Sequence, residues 1–330
     1  MRRRLLSWRT IIYVCAILIA SFGVMLMSGP RMPADGFPAF DKTSLGVDID
    51  AYLNASESHF ADIRPGAAKR VLWADPATKA KTAFAIVYLH GFSASAEEIR
   101  PLPDRVAAAF GANLYFTRLA GHGRSGDAMG EPSLEDWLAD FSESLAIGEA
   151  LGNRVVVIGT STGASLATLA LADPKIASRI SAAVFVSPNY GINSFAAFLL
   201  TTPVAPQLSR LLLGENRGFT PYNDRHAAHW TTRYPTKALL PMAALVKLSV
   251  ESLVEQVTTP ALFLYSSLDQ VIRPDKVREV ANRWGGPHEL FDVGKTGDPG
   301  NHVIAGDIVS PATTGPLADR VIAWLEATLR

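Results

Sequence analysis

Short apolar runs alternate with stretches of helical period along most of this chain, and that alternation constrains the fold more than any other feature. The runs are KRVLWAD at 69–75, AFAIVYLHG at 83–91, NLYFTRLAGHG at 113–123, RVVVIG at 154–159, AAVFVSPN at 182–189, ALFLYSSLD at 261–269 and HELFDVG at 288–294. Helix candidates at 97–110, 134–151 and 162–172 separate four of them. A strand that is apolar along its whole length is buried on both faces, and strands joined by helical crossovers run parallel. The class is therefore α/β, a parallel sheet with helices on both faces.

One interruption breaks the rhythm. About seventy residues between Tyr190 and Thr259 contain no convincing strand but hold SFAAFLL, PQLSRLLLG and ALLPMAALVKLSVESLVEQV, punctuated by Pro203, Pro206, Pro221, Pro235 and Pro241. A structureless loop of that length is uncommon inside a domain. The segment 191–257 is therefore expected to be a helical cap inserted into a core formed by 65–190 and 258–330.

Composition excludes several functions. The 330 residues are 48% hydrophobic and 19% charged, a globular profile, and 31 Lys+Arg balance 31 Asp+Glu. No basic excess is available for a nucleic-acid backbone, so no nucleic-acid partner is expected. Cys15, the single cysteine, supports neither a disulfide framework nor a cysteine zinc site. No metal and no cofactor are expected. Gly121-His122-Gly123 lacks the further glycine and helix start of a dinucleotide site.

At the N-terminus, residues 11–28 are 18 uncharged residues behind Arg2, Arg3, Arg4 and Arg9. As a helix they would span ~27 Å, which suggests a membrane anchor at 1–29 followed by a tether and lead-in at 30–64. Arg31 alone follows closely, so the arginine bias would put the N-terminus in the cytoplasm and the remaining chain outside it, in a single-pass topology. The alternative is a secretory signal cleaved after Gly23, with Ser21 at −3.

The chemistry centres on Gly159-Thr160-Ser161-Thr162-Gly163. An apolar run delivers this G-x-S-x-G and ASLATLALA follows at helical spacing, the strand–turn–helix setting of a nucleophile elbow. On so sharp a turn the serine backbone crowds residues two before and two after, which is why Gly159 and Gly163 carry no side chain. With Leu89-His90-Gly91-Phe92, Gly121-His122-Gly123, Asp269 and Asn301-His302-Val303-Ile304, the chain resembles the α/β-hydrolase superfamily, in particular its capped bacterial carboxylesterases and monoacylglycerol-lipase-like members. The resemblance implies a mostly parallel eight-stranded sheet, a lid after the sixth strand, and a Ser…Asp…His triad in that order.

Asp269 directly follows a late strand run. Asp292 lies inside the next run, and Asp275 sits in the first turn of a helix, where a carboxylate complements the dipole. His302 follows the last run, whereas His288 opens it; His226 and His229 fall in the cap, and His59 precedes the sheet. Ser161, Asp269 and His302 are therefore the expected nucleophile, orienting acid and base. The resemblance places the oxyanion-hole donors at the backbone N–H groups of Thr162 and Phe92. His90 and His122, in glycine-flanked turns, are expected to hold loop shape. Phe195, Phe198 and Leu199 are candidate acyl-chain contacts of the lid.

The sequence thus points to a membrane-anchored serine hydrolase acting on carboxylic esters, medium-chain acyl or monoacylglycerol-like. A triad fixes the nucleophile and not the acceptor, so acyl transfer or amide cleavage stand as alternatives, and a binding domain on the same fold as a third.

Overall fold

The computed structural model describes residues 7–27, 29–34 and 36–329; the side chains at 22, 24–27, 195 and 196 lie outside that description. In chain order the elements are α1 (Trp8–Met27), α2 (Ile49–Glu57), β1 (Arg70–Leu72), β2 (Thr82–Leu89), α3 (Leu102–Ala109), β3 (Asn113–Phe116), α4 (Leu134–Leu151), β4 (Gly152–Thr160), α5 (Thr162–Leu171), α6 (Pro174–Ala177) and β5 (Ala182–Val186). Then follow α7 (Ala205–Leu213), β6 (Asn216–Gly218), α8 (Asp224–His229), β7 (Arg233–Pro235), α9 (Leu239–Glu251), β8 (Ala261–Tyr265), α10 (Pro274–Arg283), β9 (His288–Asp292) and α11 (Pro311–Leu329).

The main sheet has the order β1-β3-β2-β4-β5-β8-β9. β1 pairs antiparallel with β3, and every other neighbour is parallel. All five residues of β5 and of β8 are buried, as the unbroken apolar runs require. One core lies between the sheet and α4, α5, α9 and α10, with Trp137, Phe141 and Leu245 at its centre. The other lies beneath α3 and α11, around Tyr88, Ile99 and Leu325.

Several expectations need correction. The sheet has seven strands rather than the eight implied by resemblance, because the chain before Arg70 is helical and supplies no further edge strand among the described residues. The cap consequently follows the fifth strand, not the sixth. It is not wholly helical, since β6 and β7 form a small antiparallel hairpin. Three-residue strands, exposed throughout in β6, leave no apolar run to read.

The membrane anchor is also corrected. Helix α1 forms over the apolar run, yet among the described residues no helix is long and apolar enough to cross a membrane. The span at 11–28, the single-pass topology and the extracytoplasmic placement built on it do not stand. Arg2, Arg3, Arg4 and Ser28, which that expectation used, lie outside the described residues. The segment read as an extended tether packs instead: Met32, Phe37 and Phe40 are partly buried against the core, with the Phe37 ring 5.4 Å from Phe141 and edge-on to it. The prolines extend the backbone, but the aromatic rings between them supply the area that docks it.

Candidate active site

The turn between β4 and α5 holds Ser161 at φ 49°, ψ −111°, in the left-handed region that a side chain other than glycine's enters at a cost. Its neighbours show why the strain persists. A Cβ on Gly159 would lie 2.8 Å from the Ala164 backbone, and one on Gly163 would collide with the Leu89 carbonyl and come within 2.7 Å of the His90 oxygen. Any larger residue at either place would push the helix off the sheet. Parallel register pairs Leu89 with Gly159. Two residues further on in each strand, the loop His90-Gly91-Phe92 therefore lies beside Ser161.

The remaining partners come from neighbouring strands. Asp269 follows β8, and His302 follows β9, so three side chains spread over 141 residues of chain converge at the carboxyl ends of β4, β8 and β9. His302 Nε2 lies 3.0 Å from Ser161 Oγ, and His302 Nδ1 donates to Asp269 Oδ2 at 2.7 Å. The second oxygen of Asp269 accepts from Val271 N at 2.8 Å and Ile272 N at 3.0 Å. Burial pulls the His302 pKa down, but the charge and hydrogen bond of Asp269, helped by Glu98 and Asp298, carry it above its ordinary value.

The competing carboxylates and histidines are elsewhere engaged. Asp275 pairs with Arg273, and Asp292 receives the Ser267 and Gly294 N–H groups. His288 holds the Gly286 carbonyl, His59 contacts the Ser56 carbonyl, and His226 sits in the cap against Trp230. His229 is also a cap residue, in α8.

Two backbone N–H groups near the serine in the chain fold have no hydrogen-bond acceptor among the described residues. Thr162 is the first residue of α5, where an amide has no intrahelical acceptor. Phe92 N–H makes no backbone hydrogen bond among the described residues. His90 shapes their loop: its Nδ1–H donates to Gly91 O at 2.9 Å while Nε2 accepts from Leu119 N at 3.1 Å, and burial pushes its pKa down to about 4. His122, likewise held low by burial, stacks between His90 and Trp137.

Ser161 and His302 open onto a cavity of about 450 Å³ walled by Phe92, Leu200, Phe219, Tyr234, Met242 and Val303. Of the lid residues chosen from sequence, Phe198 and Leu199 are not in this wall, Phe198 being 47% exposed, and the side chain of Phe195 falls outside the described residues. A helix presents one face inward, and Ala197 and Leu200 occupy it here.

Sequence reasoning missed two groups. Asp298 Oδ2 accepts from His302 N and Val303 N, each at 2.8 Å, and so fixes the histidine loop; the Asp-Pro-Gly string was its only signal. Glu98 lines the cavity as a buried carboxyl, and as half of Glu97-Glu98 it resembles an ordinary solvated charge pair.

Residues 86–307, two thirds of the chain, match the alpha/beta hydrolase family, and the chain belongs to that family. Among curated protein sequences none matches it. Solved structures are similar at low identity. A structure from the metagenome-derived lipolytic enzymes LipS and LipT shares 19% identity at a TM-score of 0.64, covering 80% of this chain and 99% of its own. A soluble variant of Saccharomyces cerevisiae monoglyceride lipase shares 12% at 0.61, covering 79% and 91%. Paleococcus ferrophilus monoacylglycerol lipase shares 14% at 0.58, covering 79% and 98%. At these identities the likeness is one of fold.

Proposed function

We propose that this chain is a serine hydrolase that cleaves carboxylic esters through an acyl-enzyme on Ser161. The observation that carries the reading is the hydrogen-bonded relay from Ser161 Oγ through His302 to Asp269, at 3.0 and 2.7 Å, opening onto an apolar cavity. A neutral serine hydroxyl is a weak nucleophile. His302 Nε2 takes its proton as Oγ attacks the ester carbonyl, then returns that proton to the departing alkoxide; water repeats the sequence to release the acid. Asp269 keeps the proton of the neutral imidazole on Nδ1 and stabilises the imidazolium. The oxyanion formed between these steps receives the N–H groups of Phe92 and Thr162, which are worth far more in a water-poor pocket than in solution.

The cavity wall supports an acyl chain as the group accommodated, and the names of the two monoacylglycerol lipase neighbours belong to the same reaction class. The test is covalent. A fluorophosphonate should label the full chain at Ser161, and Ser161→Ala should abolish both labelling and p-nitrophenyl ester turnover. Turnover retained by the alanine variant would overturn the reading.

A further inference from the structure

Glu98 is the one buried acidic group of the cavity that the chemistry above leaves unused. It retains only 3% of its exposure, and it lines the same cavity as Ser161 and His302. Its Oε2 accepts the Gly91 N–H at 2.7 Å and lies 3.2 Å from the Tyr88 hydroxyl. A methyl group built on Gly91 would meet Glu98 Oε1 at 2.7 Å and Ser161 Cβ at 3.2 Å. The carboxyl and the serine therefore face each other across a space the size of one methyl, and glycine at 91 is what keeps that space open.

The same hydrogen bond acts on the oxyanion loop. Gly91 is held at both ends, its N–H by Glu98 and its carbonyl by His90 Nδ1–H and by Ala94 N–H at 3.2 Å. The Gly91 carbonyl shares a rigid peptide plane with the Phe92 N–H. Fixing both ends of Gly91 thus fixes where the Phe92 N–H points.

We propose that Glu98 is a positioning residue for ester cleavage, clamping Gly91 from within the cavity wall so that the Phe92 N–H faces the developing oxyanion. This rests on the serine-hydrolase reading and adds to it a charge condition. The groups facing Glu98 are Tyr88 from β2, Thr160 and Ser161 at the elbow, and His302 with Asp269 and Asp298 behind it; Glu97 beside it is taken up by Arg70 and Arg100. No cation bonds to the carboxyl among the described residues. Burial accordingly raises its pKa to about 7, so that near neutrality about half of these carboxyls hold a proton and the share grows as the pH falls.

The neutral acid is the form compatible with catalysis. The serine proton moves to His302 Nε2 and on to the departing alkoxide, while Glu98 keeps its own throughout. Once ionised, Glu98 would set a negative charge beside the oxyanion and favour the imidazolium that cannot act as base. Raising the pH through the Glu98 pKa should therefore depress kcat, while lowering it through the His302 pKa should depress kcat by protonating the base. The outcome is a narrow bell whose two limbs belong to a coupled pair.

The experiment compares the full-length wild type, Glu98→Gln and Glu98→Ala with a p-nitrophenyl ester from mildly acid to mildly alkaline pH. Glutamine keeps an acceptor for Gly91 and cannot ionise, so it should retain neutral-pH kcat and lose the alkaline limb. Alanine releases the loop and should lower kcat with little change in KM, by up to the about 10²–10³-fold that loss of an oxyanion donor costs. A wild-type alkaline limb persisting in Glu98→Gln overturns the proposal, and so does undiminished kcat in a folded Glu98→Ala. Should the alanine variant not fold, the glutamine profile decides alone. Fluorophosphonate titration separates this from failure of the underlying reading: unlabelled Ser161 in the wild type removes the serine-hydrolase assignment, whereas stoichiometric labelling with no Glu98 effect removes only the clamp.

Discussion

The two oxygens of Asp269 have different partners, and that division predicts the effect of its amide. Oδ1 receives the Val271 and Ile272 N–H groups and Oδ2 receives His302. Asparagine must leave its oxygen on the two backbone donors and turn its NH₂ toward the imidazole. The imidazole then has to carry its proton on Nε2, facing Ser161, where it cannot accept one. Asp269→Asn should lower kcat by about 10⁴-fold with KM and melting temperature nearly unchanged, as steady-state kinetics and a thermal melt would record. At this scale the sequence was informative about which side chains meet, since Ser161, Asp269 and His302, singled out by residue type and order, come within hydrogen-bond reach of one another. It was silent on Glu98, because an acidic residue in a loop carries no mark of burial until the fold closes over it.

Among the elements, the contact between α5 and β2 leaves no room for a side chain at Gly163. Gly163 lies so close to the Leu89 and His90 carbonyls that a methyl group must displace helix or strand. Gly163→Ala is expected to destabilise the fold by about 1–3 kcal/mol, the usual cost of overpacking, and to reduce kcat as well, since α5 begins with the Thr162 N–H. A melt that falls together with kcat would bear this out; unchanged values of both would refute it. The inner strands of the main sheet were legible because burial on both faces demands unbroken apolar runs, and the edge strands β1 and β9, only partly buried, because each still forms a short apolar run between turns. The hairpin β6–β7 was not, since its three-residue strands are held by backbone pairing, which no side-chain pattern reports. The membrane anchor illustrates the opposite failure: an apolar run suggests a span, but spanning depends on a length of continuous apolar helix that the described residues do not reach.

For the molecule as a whole, the proposed selectivity would come from what the cap adds to the core. Leu200 and Leu213 from the cap and Phe92 and Val303 from the core line one cavity. An acyl chain entering this space loses contact with water, at about 0.8 kcal/mol for each buried methylene. The ratio kcat/KM should climb roughly fourfold per methylene along a p-nitrophenyl ester series from acetate, then level once the cavity is filled. A flat or falling series would show that the chain binds elsewhere.

Helix α9 has a double allegiance with a practical consequence. It lies at the end of the insertion, yet Met242, Leu245 and Val246 belong to the same core as α4 and α5. It is the crossover that returns the polypeptide from β5 to the start of β8, and the true excursion closes at Ala238. Anyone grafting a foreign specificity onto this scaffold should exchange the stretch up to that alanine and leave α9 with its host, because removing it would uncover the α5 side of the sheet whose central strand β4 leads into Ser161.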